Sequence, residues 1–268
     1  MKNVQRLLVL PLAIGFFCSN SWSDTDKYTA ATPSIEKNTP PQYFDDLTAN
    51  SLTENELRGK WQVLFNGKDF TNWHAFKKKT VGNNWAVDAA ENAIQVTAKV
   101  EGQTRDGGDL TTDEEYENFE LRLDWKISAC GNSGIIYNVI EDMSDKLSQT
   151  YQSGPEMQVL DNTCHPDAKI PKHRAGDLYD MMACKFENVK PAGEWNSIRL
   201  KIKNGKVQQW QNGKKLVEYD QNAPSWKAMI AGSKFKTMPM FGTSRKGHIA
   251  LQDHGDKVWY RNIKIRKL

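Results

Sequence analysis

The sequence predicts an all-β sandwich. Two observations carry that prediction: hydrophobic side chains recur with a period of two, and Asn-Gly steps join successive alternating runs. The clearest run is 119–127, where Phe119, Leu121, Leu123, Trp125 and Ile127 alternate with Glu120, Arg122, Asp124 and Lys126. This is the pattern of a strand with one face in a core and the other outside it. Ile198, Leu200 and Ile202 alternate with Arg199, Lys201 and Lys203, and Asn204-Gly205 then offers a type I′ turn into a strand over 206–210. Asn212-Gly213 repeats the device before 214–219, so two hairpins form a meander. Further short strands are predicted at 61–65, 85–87, 93–97, 134–139, 156–160, 177–182, 248–252 and 257–266. Many short antiparallel strands read as two packed sheets. Within this region one helix is predicted, over 224–235, with Pro224 in its first turn and Trp226, Met229 and Ile230 sharing a face.

The amino terminus decides which residues belong to the mature protein. Lys2 and Arg6 precede an apolar run from Leu7 to Phe17, and Ser21 and Ser23 supply small side chains for cleavage, so residues 1–23 read as a signal peptide. That run is about 11 residues, against roughly 20 for a membrane-crossing helix. Bulky Phe16 and Phe17 before Cys18 disfavour a lipid anchor. Residues 24–58 are polar, carry Pro33, Pro40 and Pro41 and lack a sustained period, the signature of a largely unstructured leader. Within it, Thr53 as N-cap and Glu56 as its capping-box partner predict a short helix over 53–58. Residues 59–268 are then one domain, expected in the periplasm or outside the cell.

Composition narrows the function. Lys plus Arg total 36 against 33 Asp plus Glu, a net charge of +3, which gives no strong basic field and argues against a nucleic-acid partner. Cys130, Cys164 and Cys184 are an odd number in an oxidising compartment, so one disulfide and one free thiol are expected, with all three pairings open. Their spacings match no C-x-x-C zinc pair.

Six segments in order carry a resemblance. They are "WQVLFNGKDFTNWHAF", "ISACGNSGIIYNV", "GPEMQVLDN", "HRAGDLYDM", "GEWNSIRLKIKNGKVQQWQNGKKLVEY" and "GHIALQDHGDKVWYRNIKIRKL". From Trp61 to Leu268 the chain resembles the 3-keto-disaccharide hydrolase family, the last segment being the most specific. The resemblance implies a concanavalin A-like jelly roll of two curved antiparallel sheets and an enzyme cleaving 3-keto glycosides or disaccharides. The three cysteines beside the expected site are no requirement of the family. A ketone at C3 acidifies the proton at C2. A base removes it, the enolate expels the group at C1, and water then adds. Such a route needs a base, a cation or donor for the enolate oxygen, and an acid for the leaving group. Ordinary glycosidases instead flank the anomeric centre with two carboxylates.

The candidate catalytic residues are Glu156, His173, Tyr179 and Asp161. The strand over 156–160 puts Glu156 and Gln158 on one face and Met157 and Val159 on the other. The following segment concentrates Asp161, Asn162, His165, Asp167, His173, Arg174, Asp177, Tyr179 and Asp180. Candidate substrate contacts are Arg122, Asn132, Ser133, Tyr137, Gln158, His165, Asp177 and His254, the last in the "QDHGD" turn. Ser133 lacks the surroundings of a nucleophile elbow, so serine-hydrolase chemistry is disfavoured. Asp161 with His165 and His173 with Asp177 offer ligands for a divalent metal ion, which the sequence allows without requiring. The tryptophans could serve as sugar-stacking platforms or as core. Two alternatives stand beside the leading one: a non-catalytic carbohydrate-binding module on the same scaffold, and an ordinary two-carboxylate glycosidase.

Overall fold

The computed structural model describes residues 49–97, 102–144 and 146–268. The predicted signal peptide and most of the leader lie outside them. In chain order the elements are α1 (Glu54–Arg58), β1 (Gln62–Val63), β2 (Trp73–Ala75), β3 (Trp85–Asp88), β4 (Ala93–Val96), β5 (Leu110–Thr112), β6 (Phe119–Ile127), β7 (Asn132–Val139), β8 (Glu156–Leu160), β9 (Asn196–Lys203), β10 (Lys206–Gln211), β11 (Lys214–Asp220), α2 (Pro224–Ala231), β12 (His248–Leu251) and β13 (Val258–Lys267). They form two antiparallel sheets, one eight-stranded in the order β11-β10-β9-β6-β13-β4-β3 with β1 on β13, the other five-stranded in the order β2-β5-β12-β7-β8. The fold is the sandwich that the alternation predicts.

Each sheet sends one set of alternate side chains inward. Leu121, Leu123, Trp125 and Ile127 of β6 and Ile198, Leu200 and Ile202 of β9 meet Ile135 and Tyr137 of β7 and Met157 and Val159 of β8 in one continuous core. Two polar links cross that core: the hydroxyls of Tyr137 and Tyr219 lie 2.5 Å apart, and those of Ser133 and Tyr260 2.7 Å apart. On the outer face of the first sheet, Glu120 is fully buried under Arg122, Arg199 and Arg266. The Arg122 guanidinium stacks on Trp61 at 4.4 Å and that of Arg199 on Trp210 at 4.4 Å.

The predicted short helix is present as α1, with both halves of the Thr53–Glu56 capping box formed. It is also tied to the sheet. The Lys264 ammonium donates to Glu56 at 3.0 Å, and Asn50 and Asn262 exchange backbone-to-side-chain hydrogen bonds of 2.8 Å in both directions. Residues 49–58 therefore pack with the sandwich.

Two local expectations are revised and two short strands are added. Residues 177–182 are no strand: Leu178 bridges Met157 and Met182 and the chain then turns, because Asp180 takes a left-handed conformation (φ 57) and Met181 and Met182 both donate to the Leu178 carbonyl. The helix over 224–235 ends at Ala231, after which Ser233 caps a 3-10 turn over Lys234–Thr237. Strands β2 and β5, three residues each, are too short to show a period.

Candidate active site

The face of the five-stranded sheet turned away from the core carries the chemistry. Met157 and Val159 point into the core, so Glu156 and Gln158 point the other way. Beside them lies a small apolar cluster of Phe76, Ile136, Val139 and Ala250. The segment after β8 then folds back along that strand. Gly176 N–H donates to the Gln158 carbonyl, Gln158 N–H to that of Asp177, and Tyr179 N–H to that of Glu156. The Cys130–Cys164 disulfide pins the start of this segment to the chain before β7, and Cys184 keeps a free thiol.

Glu156 is 4 % exposed. Gly134, diagonally across β7, makes room for it: a Cβ there would run into the Glu156 carboxyl. In the amide orientation that satisfies its surroundings, Gln158 donates to Glu156 Oε1 at 2.8 Å and to the Ser133 carbonyl at 2.9 Å. Burial pushes the Glu156 carboxyl up to about 8; the Lys234 ammonium pulls against this, and the carboxylates of Asp109 and Asp167 add to it. Asp109 is itself pushed up to about 6, chiefly by burial.

Around Glu156 the backfolded segment assembles a charged ring. His173 Nε2 lies 3.1 Å from Asp180 Oδ1, its Nδ1 3.4 Å from Asp167 Oδ2, and its ring 4.3 Å from that of Tyr179. The Tyr179 hydroxyl donates to Asp167 Oδ2 at 3.3 Å. Lys234 arrives from the turn after α2: its backbone N–H donates to Asp180 Oδ2 at 2.6 Å, and its ammonium stands 4.1 Å over the Tyr179 ring. Burial of the ammonium lowers the Lys234 pKa, opposed by Glu156, Asp180 and Asp167. Along the same face the ring continues through Asn132, whose Nδ2 is 3.5 Å from His254 Nε2, to His165, whose ring is 6.3 Å from that of His254. His254 is open to solvent and Lys234 exposes much of its chain while its ammonium is tucked against the Tyr179 ring; Tyr179 and His165 are half-buried.

Of the residues predicted from sequence, His173 and Tyr179 are in ring contact and Tyr179 is hydrogen-bonded through its backbone to Glu156, and Gln158, Asn132, His254 and His165 line the adjoining face. His165 also caps the 3-10 turn over Pro166–Lys169 by accepting from Asp167 N–H at 3.1 Å. Five candidates lie elsewhere. Asp161 spends its carboxylate on the N–H groups of Cys130 (2.8 Å) and Thr163 (3.0 Å), and Asp177 on those of Arg174 (2.8 Å) and Cys184 (2.7 Å), so both shape loops. Ser133 and Tyr137 are fully buried between the sheets, and Arg122 lies on the outer face of the other sheet. With Asp161 and Asp177 so occupied, the two metal-ligand pairs read from spacing are not assembled. Cys130, Asp161 and Cys164 do cluster, but the two sulfurs are bonded to each other. Trp73, Trp85, Trp125 and Trp226 are core rather than sugar platforms.

Lys234, Asp109 and the central place of Asp167 were not legible in the sequence. Gly232-Ser233 marks the end of α2, yet no local signal ties the next lysine to Glu156. A separate hollow of about 660 Å³ borders the backfolded segment; His165, Lys172, Arg174 and Phe186 are among its lining residues and Glu156 is not.

The family model described as the 3-keto-alpha-glucoside-1,2-lyase-like domain matches residues 60–266. A 3-keto-disaccharide hydrolase from Bacteroides thetaiotaomicron is 37 % identical over 225 residues, spanning 77 % of this chain and 78 % of that protein. A solved structure of a candidate glycosyl hydrolase from Parabacteroides distasonis superposes with a TM-score of 0.72 at 34 % identity, over 82 % of this chain and 99 % of that one. A second from the same organism gives 0.57 at 28 % identity, over 78 % and 100 %. The two-sheet sandwich, the six ordered segments and these matches agree: the chain belongs to the 3-keto-α-glucoside-1,2-lyase-like domain family.

Proposed function

We propose that this protein is an exported enzyme that cleaves 3-keto glycosides by elimination followed by hydration. The observation that carries the reading is a buried carboxyl, Glu156, held neutral at pH 7 within the field of the Lys234 ammonium. A protonated acid beside a cation suits a reaction that makes an enolate and then protonates a leaving oxygen.

In this reading Asp167, facing Tyr179 and His173, removes the proton from C2, and the C–H electron pair becomes the enolate with its charge on the C3 oxygen. The Lys234 ammonium stabilises that charge. Collapse of the enolate breaks the C1–O bond, and Glu156 gives its proton to the departing oxygen. Water then adds across C1=C2, its hydroxyl to C1 and a proton to C2. His173 acts as a positioning residue, bridging Asp167 and Asp180.

Export is supported by the basic-then-apolar amino terminus and by the Cys130–Cys164 disulfide, a bond that persists in oxidising compartments. Among the described residues no helix is long and apolar enough to cross a membrane.

Purified protein incubated with a 3-keto-glucoside and with the unoxidised parent tests the proposal. Turnover of the keto sugar alone, with deuterium entering C2 in heavy water, is expected. Inactivity on both, or binding without turnover, would favour a carbohydrate-binding module; turnover of the parent would favour a two-carboxylate glycosidase.

A further inference from the structure

The edge of the five-stranded sheet away from β8 carries charges that the proposed chemistry does not use. His74, on edge strand β2, sits between two carboxylates: its Nδ1 lies 2.6 Å from Asp113 Oδ1 and its Nε2 2.8 Å from Glu141 Oε2. A neutral imidazole has one N–H. Short hydrogen bonds to a carboxylate at both ring nitrogens are therefore those of an imidazolium. The side chains of His74 and Glu141 are 16 % and 12 % exposed, so their contact is shielded from water, whereas that of Asp113 is 57 % exposed.

The ring joins segments that are distant in sequence. Asp113 follows β5, and Glu141 lies in the loop after β7. Glu141 Oε1 also accepts from the Lys77 backbone N–H, and the Lys77 ammonium donates to the carbonyls of Ser144 and, at 2.8 Å, Leu147. The loop is thus fastened to β2 and the turn after it. It runs on to Thr150, whose hydroxyl donates to Asp109 Oδ2, and to Tyr151, whose ring lies 5.8 Å from the Lys234 ammonium. The loop after β7 therefore connects the His74 edge to the Glu156 site.

The surrounding charges are few. The His248 ring of β12 is 6.0 Å from that of His74; its Nδ1 lies 2.7 Å from the Thr112 carbonyl oxygen, and its Nε2 3.9 Å from both Glu141 Oε2 and Glu115 Oε1. Lys246 pairs with Glu115 at 2.9 Å. Burial lowers the His74 pKa, but the hydrogen bonds and charges of Asp113 and Glu141 outweigh it, and the group titrates above its ordinary 6.5.

We propose that His74 is a proton-operated clasp, which in its doubly protonated form straps the loop after β7 and the Asp113 turn to strand β2 and on losing a proton loosens them. Deprotonation leaves one N–H for two carboxylates. One hydrogen bond is then lost outright, and the other ceases to be charge-assisted. Because the folded pKa is raised, the strap is complete below 6.5 and is lost as pH rises through the folded value. This inference does not depend on the proposed activity.

Nuclear magnetic resonance of the full wild-type chain, with isotope-labelled histidine, tests the clasp without a variant that must fold. Both ring nitrogens of His74 should carry protons at pH 6, and the midpoint of its titration should lie above 6.5. Exchange protection of the Lys77 amide, which donates to Glu141, should fall about tenfold through the same midpoint, after correction for the intrinsic pH dependence of exchange. In Glu141→Gln the midpoint should drop and the pH-linked loss of protection should disappear; in His254→Ala both should persist. A His74 midpoint at or below 6.5, or Lys77 protection that does not change through it, would overturn the proposal.

Discussion

Replacing Glu156 by Gln should abolish turnover and yet stabilise the fold above pH 5. The unfolded carboxyl titrates near 4.5 and the folded one near 8. Between those values the unfolded chain releases a proton that the folded protein retains, so stability falls as pH rises, by about 1.36 kcal/mol per pH unit. The contribution is fully present below 4.5 and has been lost above 8, for a total of about 5 kcal/mol, of which about 3 kcal/mol is lost by pH 7. Gln has nearly the same shape, stays neutral, and can still accept the Gln158 hydrogen bond at Oε1. For a domain of this size, roughly 2–4 °C per kcal/mol translates into a melting point about 6–12 °C above wild type at pH 7, with the two converging near pH 4.5. Differential scanning calorimetry of both proteins from pH 4.5 to 8.5 measures the gap directly. Parallel melting curves would show that Glu156 does not carry its proton into the neutral range.

Three further outcomes follow from the same geometry. If Glu156 donates the proton, kcat on a 3-keto glycoside should fall as pH rises through about 8, and Lys234→Met should move that limb to higher pH while lowering kcat by about 10²-fold, as read from pH–rate profiles. Gly134→Ala should displace the Glu156 carboxyl, lowering turnover and costing about 2 kcal/mol in a urea melt; unchanged kcat would mean that the carboxyl can move without consequence. Removing the disulfide with Cys130→Ser and Cys164→Ser opens a loop of sequence separation 34 and should cost about 4 kcal/mol by chain entropy, seen as a lower urea midpoint.

Much of the fold follows from local chemistry. The alternation over 119–127 and 156–160 coincides with β6 and β8, the Asn-Gly steps with the β9-β10-β11 meander, and the Thr53–Glu56 pair with the α1 cap. These features are legible because each depends on neighbours within a few residues. The misses are equally physical. Three-residue strands have no period to read, and the apparent strand at 177–182 is interrupted by a left-handed Asp180 that a hydrophobic pattern does not report.

By itself the sequence determined that Glu156 and Gln158 share one face of a strand and Met157 and Val159 the other, and that acids and imidazoles crowd the segment after β8. Only the tertiary structure decided which of those faces turns to the partner sheet. It buried Ser133 and Tyr137 in the core, set Arg122 on the outside of the other sheet, and bound the carboxylates of Asp161 and Asp177 to backbone N–H groups. It also brought Lys234 beside Glu156. Periodicity fixes the relation between residues on one strand, whereas the field that holds a buried carboxyl neutral is made by groups from distant parts of the chain, and their meeting is a property of packing alone.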